Sequence, residues 1–256
     1  MNLYLNFKQW MKFFIQKKLI LNNIQSSDVR SLLKNGYYKT SIKELSLEDT
    51  ELPVLFDLCL SQNSLMRTSL KNSNSKNQYQ RFYFEEGSCF TNEDPLYRLA
   101  NSKALRRIVN EYLGRFYLQH LNYSESYYDG QSTRVGSQGW HRDPESLQPL
   151  KVFIYLKDCP PNSGATKLVP RSHTMGDGFT QPFPFIGGHR SLLLKGDKLK
   201  LFLDQKSEEM YGQKGDIIFM DTSAFHRGGD GIDERMTIQL TYLNQSATQK
   251  PTFKLI

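Results

Sequence analysis

The sequence contains few cysteines, and they are widely spaced. Three occur in 256 residues, at Cys59, Cys89 and Cys159, and no two of them form a C-x-x-C pair. A small odd number of isolated cysteines argues against a disulfide framework and suits a reducing compartment. We therefore assign these thiols no chemistry.

Long hydrophobic segments are also missing. The mean hydropathy is −0.56, and no stretch approaches the roughly 18 uninterrupted apolar residues that a membrane span requires. The N-terminal segment is interrupted by four lysines, at positions 8, 12, 17 and 18, and has no small-residue cleavage site. It therefore lacks the pattern of a signal peptide. We expect a soluble, cytoplasmic protein.

Net positive charge is confined to one segment. Residues 1–43 contain eight basic side chains and one acidic side chain, and thus carry the whole formal net charge of +7. A nucleic-acid-binding surface would interleave basic and aromatic residues on one face of the folded body. The chain beyond residue 43 has no such pattern, so we predict no nucleic-acid partner.

The basic segment begins with a predicted amphipathic helix. Apolar residues recur there at three- and four-residue spacing, with lysines between them: Phe7, Trp10, Met11, Phe14 and Ile15. This spacing is typical of a helix with one apolar face. The helix either packs on the protein core or gives residues 1–43 a weak contact with a membrane surface or an anionic partner.

We predict a single domain, residues 1–256, with two regions of different character. Residues 1–114 form a mainly helical lead-in, with one helix expected after the acidic start and Pro53 of the segment 44–67, and another at 94–114. From residue 115 to 245, short apolar runs such as KVFIYL, RSLLLKG, LKLFLD and GDIIFMD are separated by Gly, Pro, Asn and Asp. Short strands at this spacing predict a β-sandwich or barrel. The fold class is therefore mainly β with flanking helices.

Three residues form a candidate metal site. His141 and Asp143, in GWHRDPES, lie two positions apart, so on a strand they point to the same face. His226 offers a third ligand at the end of another strand-like run. Two imidazoles and one carboxylate leave three positions open, which suits a non-haem Fe(II) that also holds a co-substrate and O2. A structural zinc site would be closed by four ligands, usually including cysteine.

Arg235 and Thr237 are candidates for binding a carboxylate. Arg235 follows His226 by nine residues, at the start of the next predicted strand, and Thr237 lies on the same face. A guanidinium group binds a carboxylate through two parallel hydrogen bonds, and a hydroxyl group adds one more. This pair could anchor the far end of a dicarboxylate co-substrate.

The sequence resembles the phytanoyl-CoA dioxygenase type of Fe(II)/2-oxoglutarate-dependent oxygenases. The resemblance covers roughly residues 115–245. Its motifs are WHRD (140–143), KVFIYLKDCPPNSGATKLVPRSH (151–173) and GDIIFMDTSAFHRGG followed by Arg235. The sequence departs from the family pattern at Ser163 within the Asn-Gly turn, at Arg171 in place of a glycine, and at Gly228 in place of a hydroxyl residue.

The resemblance implies a fold, a ligand set and a reaction. The fold is a double-stranded β-helix (jelly-roll) core after an N-terminal helical region. His141, Asp143 and His226 would bind Fe(II), Arg235 would bind 2-oxoglutarate, and Thr237 would assist. The protein would then use O2 to hydroxylate a small-molecule substrate, releasing succinate and CO2.

Three alternatives remain open from the sequence alone. The first is a non-catalytic metal- or ligand-binding jelly-roll protein. The second is a cupin-like or zinc-dependent enzyme on a similar barrel. The third is a peripheral membrane protein that uses its basic N-terminal helix, and this role is compatible with enzyme activity.

Four further side chains and one segment have less specific patterns. His173 closes the VPRSH motif, as a turn anchor or as a fourth ligand or base. We expect His120 to be a strand histidine, His189 a loop residue and Trp140 a packing residue. Residues 174–189 contain four glycines, two prolines and three phenylalanines, and are either an ordinary surface loop or a lid over the metal site.

Overall fold

The structure is a computed structural model. It describes residues 24, 26–47, 53–57, 59, 89–126, 138–143, 145–161, 163–174, 176, 197–229, 235–245, 247 and 249–256, together with Met11 and Ile15. The helices and strands in chain order are α1 (Ser27–Asn35), β1 (Tyr37–Ser41), β2 (Cys89–Phe90), α2 (Pro95–Ala100), α3 (Lys103–Leu113), β3 (Phe116–Ser126), β4 (Leu150–Tyr155), β5 (Lys167–Leu168), α4 (Asp197–Lys206), β6 (Glu208–Glu209), β7 (Asp216–Asp221), β8 (His226–Arg227), β9 (Arg235–Asn244) and β10 (Lys254–Leu255).

The larger sheet has five antiparallel strands in the order β1-β7-β4-β9-β3. Its central strands β4 and β9 are buried along their whole length. In β9, apolar and polar residues alternate, so they lie on opposite faces of the sheet. The apolar residues of β9 join the main core with side chains of α1, α2 and α3: Met236, Ile238, Leu240 and Tyr242. The helices therefore cover one face of the sheet.

The other face of the larger sheet packs against a smaller sheet in the order β6-β5-β8. Side chains of both sheets form one buried cluster, which includes Phe153, Tyr155 and Met220 from the larger sheet and Leu168 from the smaller. An isolated bridge between His141 and His226 adds the WHRD segment beside β8. Two antiparallel sheets thus pack face to face, and the mainly-β fold with flanking helices is confirmed.

Helix α1 is capped at both ends and joins the helical layer to the sheet. The Ser26 side chain accepts a hydrogen bond from the Val29 backbone N–H, and Gly36 ends the helix in the left-handed region at φ 83°. Ser26 also donates its backbone and hydroxyl hydrogens to the Glu111 carboxylate of α3, both at 2.8 Å. Strand β1 follows directly after Gly36, within the region predicted to be mainly helical.

Two other segments differ from the sequence prediction. The helix expected at 94–114 is divided into α2 and α3, with Asp94 capping α2 and a break at Asn101 and Ser102. The apolar run LKLFLD (199–204), predicted as a strand, lies in α4, so that prediction is wrong. Its Leu, Lys, Phe and Asp residues include no β-branched side chain, and Leu and Lys are good helix formers.

Several predictions fall partly or wholly outside the described residues. These are the amphipathic helix from Phe7, the segment RSLLLKG, and residues 177–189 of the proposed lid. Met11 and Ile15 are helical and exposed. Residues 53–57 and 59 are helical, as expected from Pro53 onward, and residues 42–46 form a turn. Among the described helices, none is both long and apolar enough to cross a membrane.

Candidate metal centre

The segment that carries His141 and Asp143 is held against the turn that carries His226. The backbones of His141 and His226 exchange hydrogen bonds of 2.9 and 3.0 Å, and the Asp143 N–H donates to the Thr222 carbonyl at 2.9 Å. Thr222 directly follows β7, and His226 begins β8. Backbone pairing between segments distant in sequence therefore positions all three side chains.

The three side chains meet at one point between the sheets. One ligand atom from each of His141, Asp143 and His226 lies within 4.8 Å of the others. The Nε2 atoms of His141 and His226 lie 3.6 Å from Oδ1 and Oδ2 of Asp143, respectively. Each side chain is less than 10% exposed. In the part of the chain described, no other group of three or more His, Cys, Asp or Glu has this arrangement.

Backbone carbonyls fix the orientation of both imidazoles. His141 Nδ1 lies 2.8 Å from the Gly139 carbonyl oxygen, and His226 Nδ1 lies 2.9 Å from that of Ala224. A carbonyl only accepts hydrogen bonds, so each Nδ1 carries the hydrogen and each Nε2 keeps its lone pair. Metal-binding histidines are typically oriented in this way. Both lone pairs therefore belong to the nitrogen atoms closest to Asp143.

Burial and neighbouring charges keep Asp143 and His226 in their metal-binding protonation states. Burial, reinforced by His141, lowers the pKa of His226 to about 3. Burial alone would raise the pKa of Asp143, but the Lys151 ammonium and the two imidazoles hold it well below its usual range. A neutral imidazole and an ionised carboxylate are the forms that bind a divalent cation.

Lys151 lies beside the candidate ligands, and the sequence patterns had not indicated it. Its Nζ atom is 2.5 Å from Asp143 Oδ2, and its side chain is 11% exposed. Lys151 occupies the second position of β4, a strand buried throughout. A lysine within such a strand is itself a signal, because lysine is rarely buried unless its charge is paired.

A buried arginine, Arg142, holds the WHRD segment in place through contacts on the side away from the candidate ligands. Arg142 lies between the two candidate ligands, so its side chain points away from them. Its Nη2 atom donates to the Ser172 carbonyl at 2.9 Å, and its guanidinium carbon lies 3.7 Å from the centre of the Phe225 ring. Burial lowers the pKa of Arg142 to about 10, although the Asp221 carboxylate opposes the shift. Arg142 thereby connects the WHRD segment to the residue preceding His226.

Arg235 and Thr237 lie on the face of β9 that points between the sheets. Both are buried, and Thr237 is paired in register with Tyr155 of β4. Arg235 donates a hydrogen bond from Nη1 to the hydroxyl of Thr166, next to β5. The structure thus adds Thr166, which the sequence patterns had not singled out. Arg235 and Thr166 present adjacent cationic and hydroxyl groups to the space between the sheets.

The other singled-out residues lie outside the triad. His173 is fully buried, and its Nε2 atom lies 2.9 Å from the Leu33 carbonyl of α1. His120 Nδ1 lies 2.8 Å from the Thr252 hydroxyl. Trp140 packs with Val169 and Leu203. In this arrangement His173 connects the VPRSH segment to α1, and Trp140 is a packing residue.

Comparison with known proteins identifies the family. The family model described as phytanoyl-CoA dioxygenase (PhyH) matches residues 75–234, which is more than half of the chain. The chain belongs to the PhyH family. The match includes the WHRD segment and β8, and therefore all three residues of the triad. No significant match was found among curated proteins.

Solved structures of similar fold include several enzymes named for non-haem iron chemistry. The epimerase SnoN in complex with Fe3+, alpha ketoglutarate and nogalamycin RO is 15% identical, with a TM-score of 0.56 over 92% of this chain and 88% of SnoN. AviO1 from Streptomyces viridochromogenes Tue57 is 16% identical, with a TM-score of 0.54 over 88% of this chain and 97% of AviO1. EctD from S. alaskensis with bound Fe is 15% identical, with a TM-score of 0.53 over 90% and 80%.

These similarities confirm the jelly-roll fold of this PhyH protein. Alpha ketoglutarate (2-oxoglutarate) and iron occur in the related structures, and the described chain contains a His-Asp-His cluster. The cluster fits a divalent iron, since it offers two oriented imidazole lone pairs and one ionised carboxylate within a buried space.

The pKa of His226 makes the stability of the protein pH-dependent. Its folded-state pKa of about 3 lies below the usual 6.5, so the unfolded state takes up a proton first as the pH falls. Stability present above pH 6.5 is therefore lost between 6.5 and about 3, with a slope of up to about 1.4 kcal/mol per pH unit. We expect urea unfolding of chelator-treated protein to occur at lower urea at about pH 5 than at about pH 7.

The matched control is His226→Asn, whose amide can still donate to the Ala224 carbonyl but does not titrate. The free energy of unfolding of this variant should depend less on pH than that of the parent. Identical pH dependence in the two proteins would show that His226 is not held neutral by the fold.

Proposed function

We propose that this protein is an Fe(II)- and 2-oxoglutarate-dependent dioxygenase that hydroxylates a small-molecule substrate, with release of succinate and CO2. The observation that carries the proposal is the buried cluster of His141, Asp143 and His226, in which both Nε2 lone pairs are directed toward the carboxylate. Membership of the PhyH family supports it. Bound iron would supply the activation of O2 that oxidation of an unactivated C–H bond requires.

Each residue of the site has a defined task in this proposal. His141, Asp143 and His226 hold the metal and leave the remaining coordination positions accessible to 2-oxoglutarate and O2. Arg235 binds the distal carboxylate of 2-oxoglutarate, with Thr166 and Thr237 as hydroxyl partners. The two packed sheets exclude water from the reacting groups.

Hydroxylation is favoured over halogenation because the carboxylate ligand is present. In halogenases related to this family, Ala or Gly stands at the position of Asp143, and a halide can occupy the place of the carboxylate. Here Asp143 lies within 3.6 Å of both imidazoles, so the protein itself contributes three ligands. This arrangement supports transfer of oxygen to the substrate.

The proposal is tested by measuring succinate formed from 2-oxoglutarate in the presence of Fe(II), O2 and a panel of small molecules. A substrate should stimulate succinate release and yield a product heavier by one oxygen atom. The fold also occurs in the epimerase SnoN and the carbocyclase SnoK. A product without an added oxygen atom would therefore show that the protein catalyses another oxidation and not hydroxylation. Absence of Fe(II)-dependent succinate with every compound would favour the non-catalytic alternative.

A further inference from the structure

Polar residues line the inner face of the larger sheet at the level of the metal site. In β9 the apolar residues face the helices, so Gln239 and Thr241 face the space between the sheets. Thr241 is paired in register with Lys151 of β4, and Gln239 with Asn122 of β3. Residues directly opposite in antiparallel strands project from the same face. Lys151 and Thr241 are therefore direct cross-strand neighbours, and Asn122, on the next strand of the same face, lies diagonally opposite Thr241.

Two of these residues have polar atoms with no partner. Asn122 Nδ2 and Thr241 Oγ1 are buried, and neither forms a hydrogen bond within the described part of the chain. The two residues are 3% and 0% exposed. Buried polar atoms in folded proteins are nearly always satisfied by protein, water or ligand. Two such atoms on neighbouring strands of one face, with Thr241 directly opposite Lys151, indicate a place where a polar ligand group binds.

The charges at the site indicate that this group is anionic. Lys151 Nζ lies 2.5 Å from Oδ2 of Asp143. A divalent metal bound by the same carboxylate would add two positive charges beside the ammonium, and one carboxylate cannot balance all three. With 2-oxoglutarate bound and one of its carboxylates paired with Arg235, one positive charge would still remain. This excess of positive charge favours a carboxylate on the Lys151 side, either the carboxylate of 2-oxoglutarate that is not paired with Arg235 or a further carboxylate from the primary substrate.

We propose that Lys151, Thr241 and Asn122 form an anion-binding subsite beside the metal centre that takes a carboxylate. Lys151 supplies an ammonium, Thr241 a hydroxyl and Asn122 an amide N–H, all of which donate hydrogen bonds to carboxylate oxygens. The carboxylate comes either from 2-oxoglutarate or from the primary substrate. The proposal rests on the proposed function, because it assumes a metal and a co-substrate at the triad.

Calorimetry on the full chain loaded with Mn(II) tests the subsite without turnover. The first titration measures Mn(II) affinity, the second 2-oxoglutarate affinity, and the third the affinity of acetate for protein saturated with 2-oxoglutarate. The variants are Lys151→Met and Thr241→Val, which preserve size and remove the donor. Lys151→Arg retains the charge, and Lys157→Met makes the same substitution at an exposed position.

We expect Lys151→Met to lower the affinity for either 2-oxoglutarate or acetate by about tenfold or more. Thr241→Val should lower the affinity for the same ligand by about fivefold. Lys151→Arg should retain most of the affinity, and Lys157→Met should match the parent. A loss confined to 2-oxoglutarate identifies the co-substrate as the source of the carboxylate. A loss confined to acetate identifies the primary substrate as the source.

The outcomes separate this proposal from the proposed function. If the parent binds Mn(II) and 2-oxoglutarate, but both carboxylate affinities stay within about twofold in Lys151→Met and Thr241→Val, the subsite is overturned and the proposed function stands. If the parent fails to bind Mn(II), both are overturned. Thr241→Val leaves the contact between Lys151 and Asp143 intact, so its result holds even if Lys151→Met folds poorly.

Discussion

Replacing His141, Asp143 or His226 by alanine should reduce Fe(II)-dependent succinate formation by about a thousandfold or more. Each substitution removes one of only three protein ligands, whereas loss of a group that merely orients a ligand typically costs about 10- to 100-fold. The measurement is succinate produced per mole of protein, together with the iron content after anaerobic loading. We expect both to fall in each variant.

The three variants should differ in stability. His226→Ala removes a neutral buried side chain, whereas Asp143→Ala leaves the Lys151 ammonium without its carboxylate, which is the more destabilising change. Asp158→Ala is a control, because Asp158 is exposed and its carboxylate accepts a hydrogen bond from the Lys214 backbone N–H rather than joining the triad. It should retain iron. Near-normal iron content and turnover in any triad variant would exclude that residue as a ligand.

Arg235→Leu should raise the 2-oxoglutarate concentration needed for half-maximal turnover by about a hundredfold. The substitution removes a two-point partner for a carboxylate and leaves a buried anion unpaired, which costs about 2–3 kcal/mol. Iron binding should be unaffected, because Arg235 belongs to a different strand from any of the triad residues. Succinate formation as a function of 2-oxoglutarate concentration gives the result directly.

Two further variants define the role of Arg235. Arg235→Lys keeps the charge but loses the planar fork, so the effect should be intermediate. Thr166→Val removes the hydroxyl that accepts a hydrogen bond from Arg235 and should change the same parameter by only several-fold. A 2-oxoglutarate dependence that is unchanged in Arg235→Leu would place the carboxylate anchor elsewhere.

The sequence predicted the site best where the spacing of two residues alone places their side chains together. His141 and Asp143 are two residues apart, and the period of a strand is enough to place them on one face. Their meeting with His226 depends on a backbone bridge between distant segments, and the family motif supplied that expectation. Spacing alone would not have chosen His226 over His173, whose ring lies against α1.

Lys151 and Thr166 were missed because their roles depend on pairing across strands. Lys151 reaches Asp143 only because β4 lies beside the turn that orients the WHRD segment, and Thr166 reaches Arg235 only because the two sheets face each other. Strand register and sheet packing are set by the whole fold. The strand predicted at 199–204 is wrong for a different reason: a short apolar run does not distinguish a strand from a helix, and the residues of this run favour a helix.

The central claim is that His141, Asp143 and His226 hold an iron that also binds 2-oxoglutarate. The most direct measurement is the visible absorption of Fe(II)-loaded protein under anaerobic conditions, recorded while 2-oxoglutarate is added. Chelation of iron by the keto acid should produce a charge-transfer band that saturates at one equivalent of 2-oxoglutarate per iron and is lost in His226→Ala. If the parent protein binds Fe(II) but 2-oxoglutarate leaves the spectrum unchanged, or if His226→Ala gives the same band, the account is contradicted.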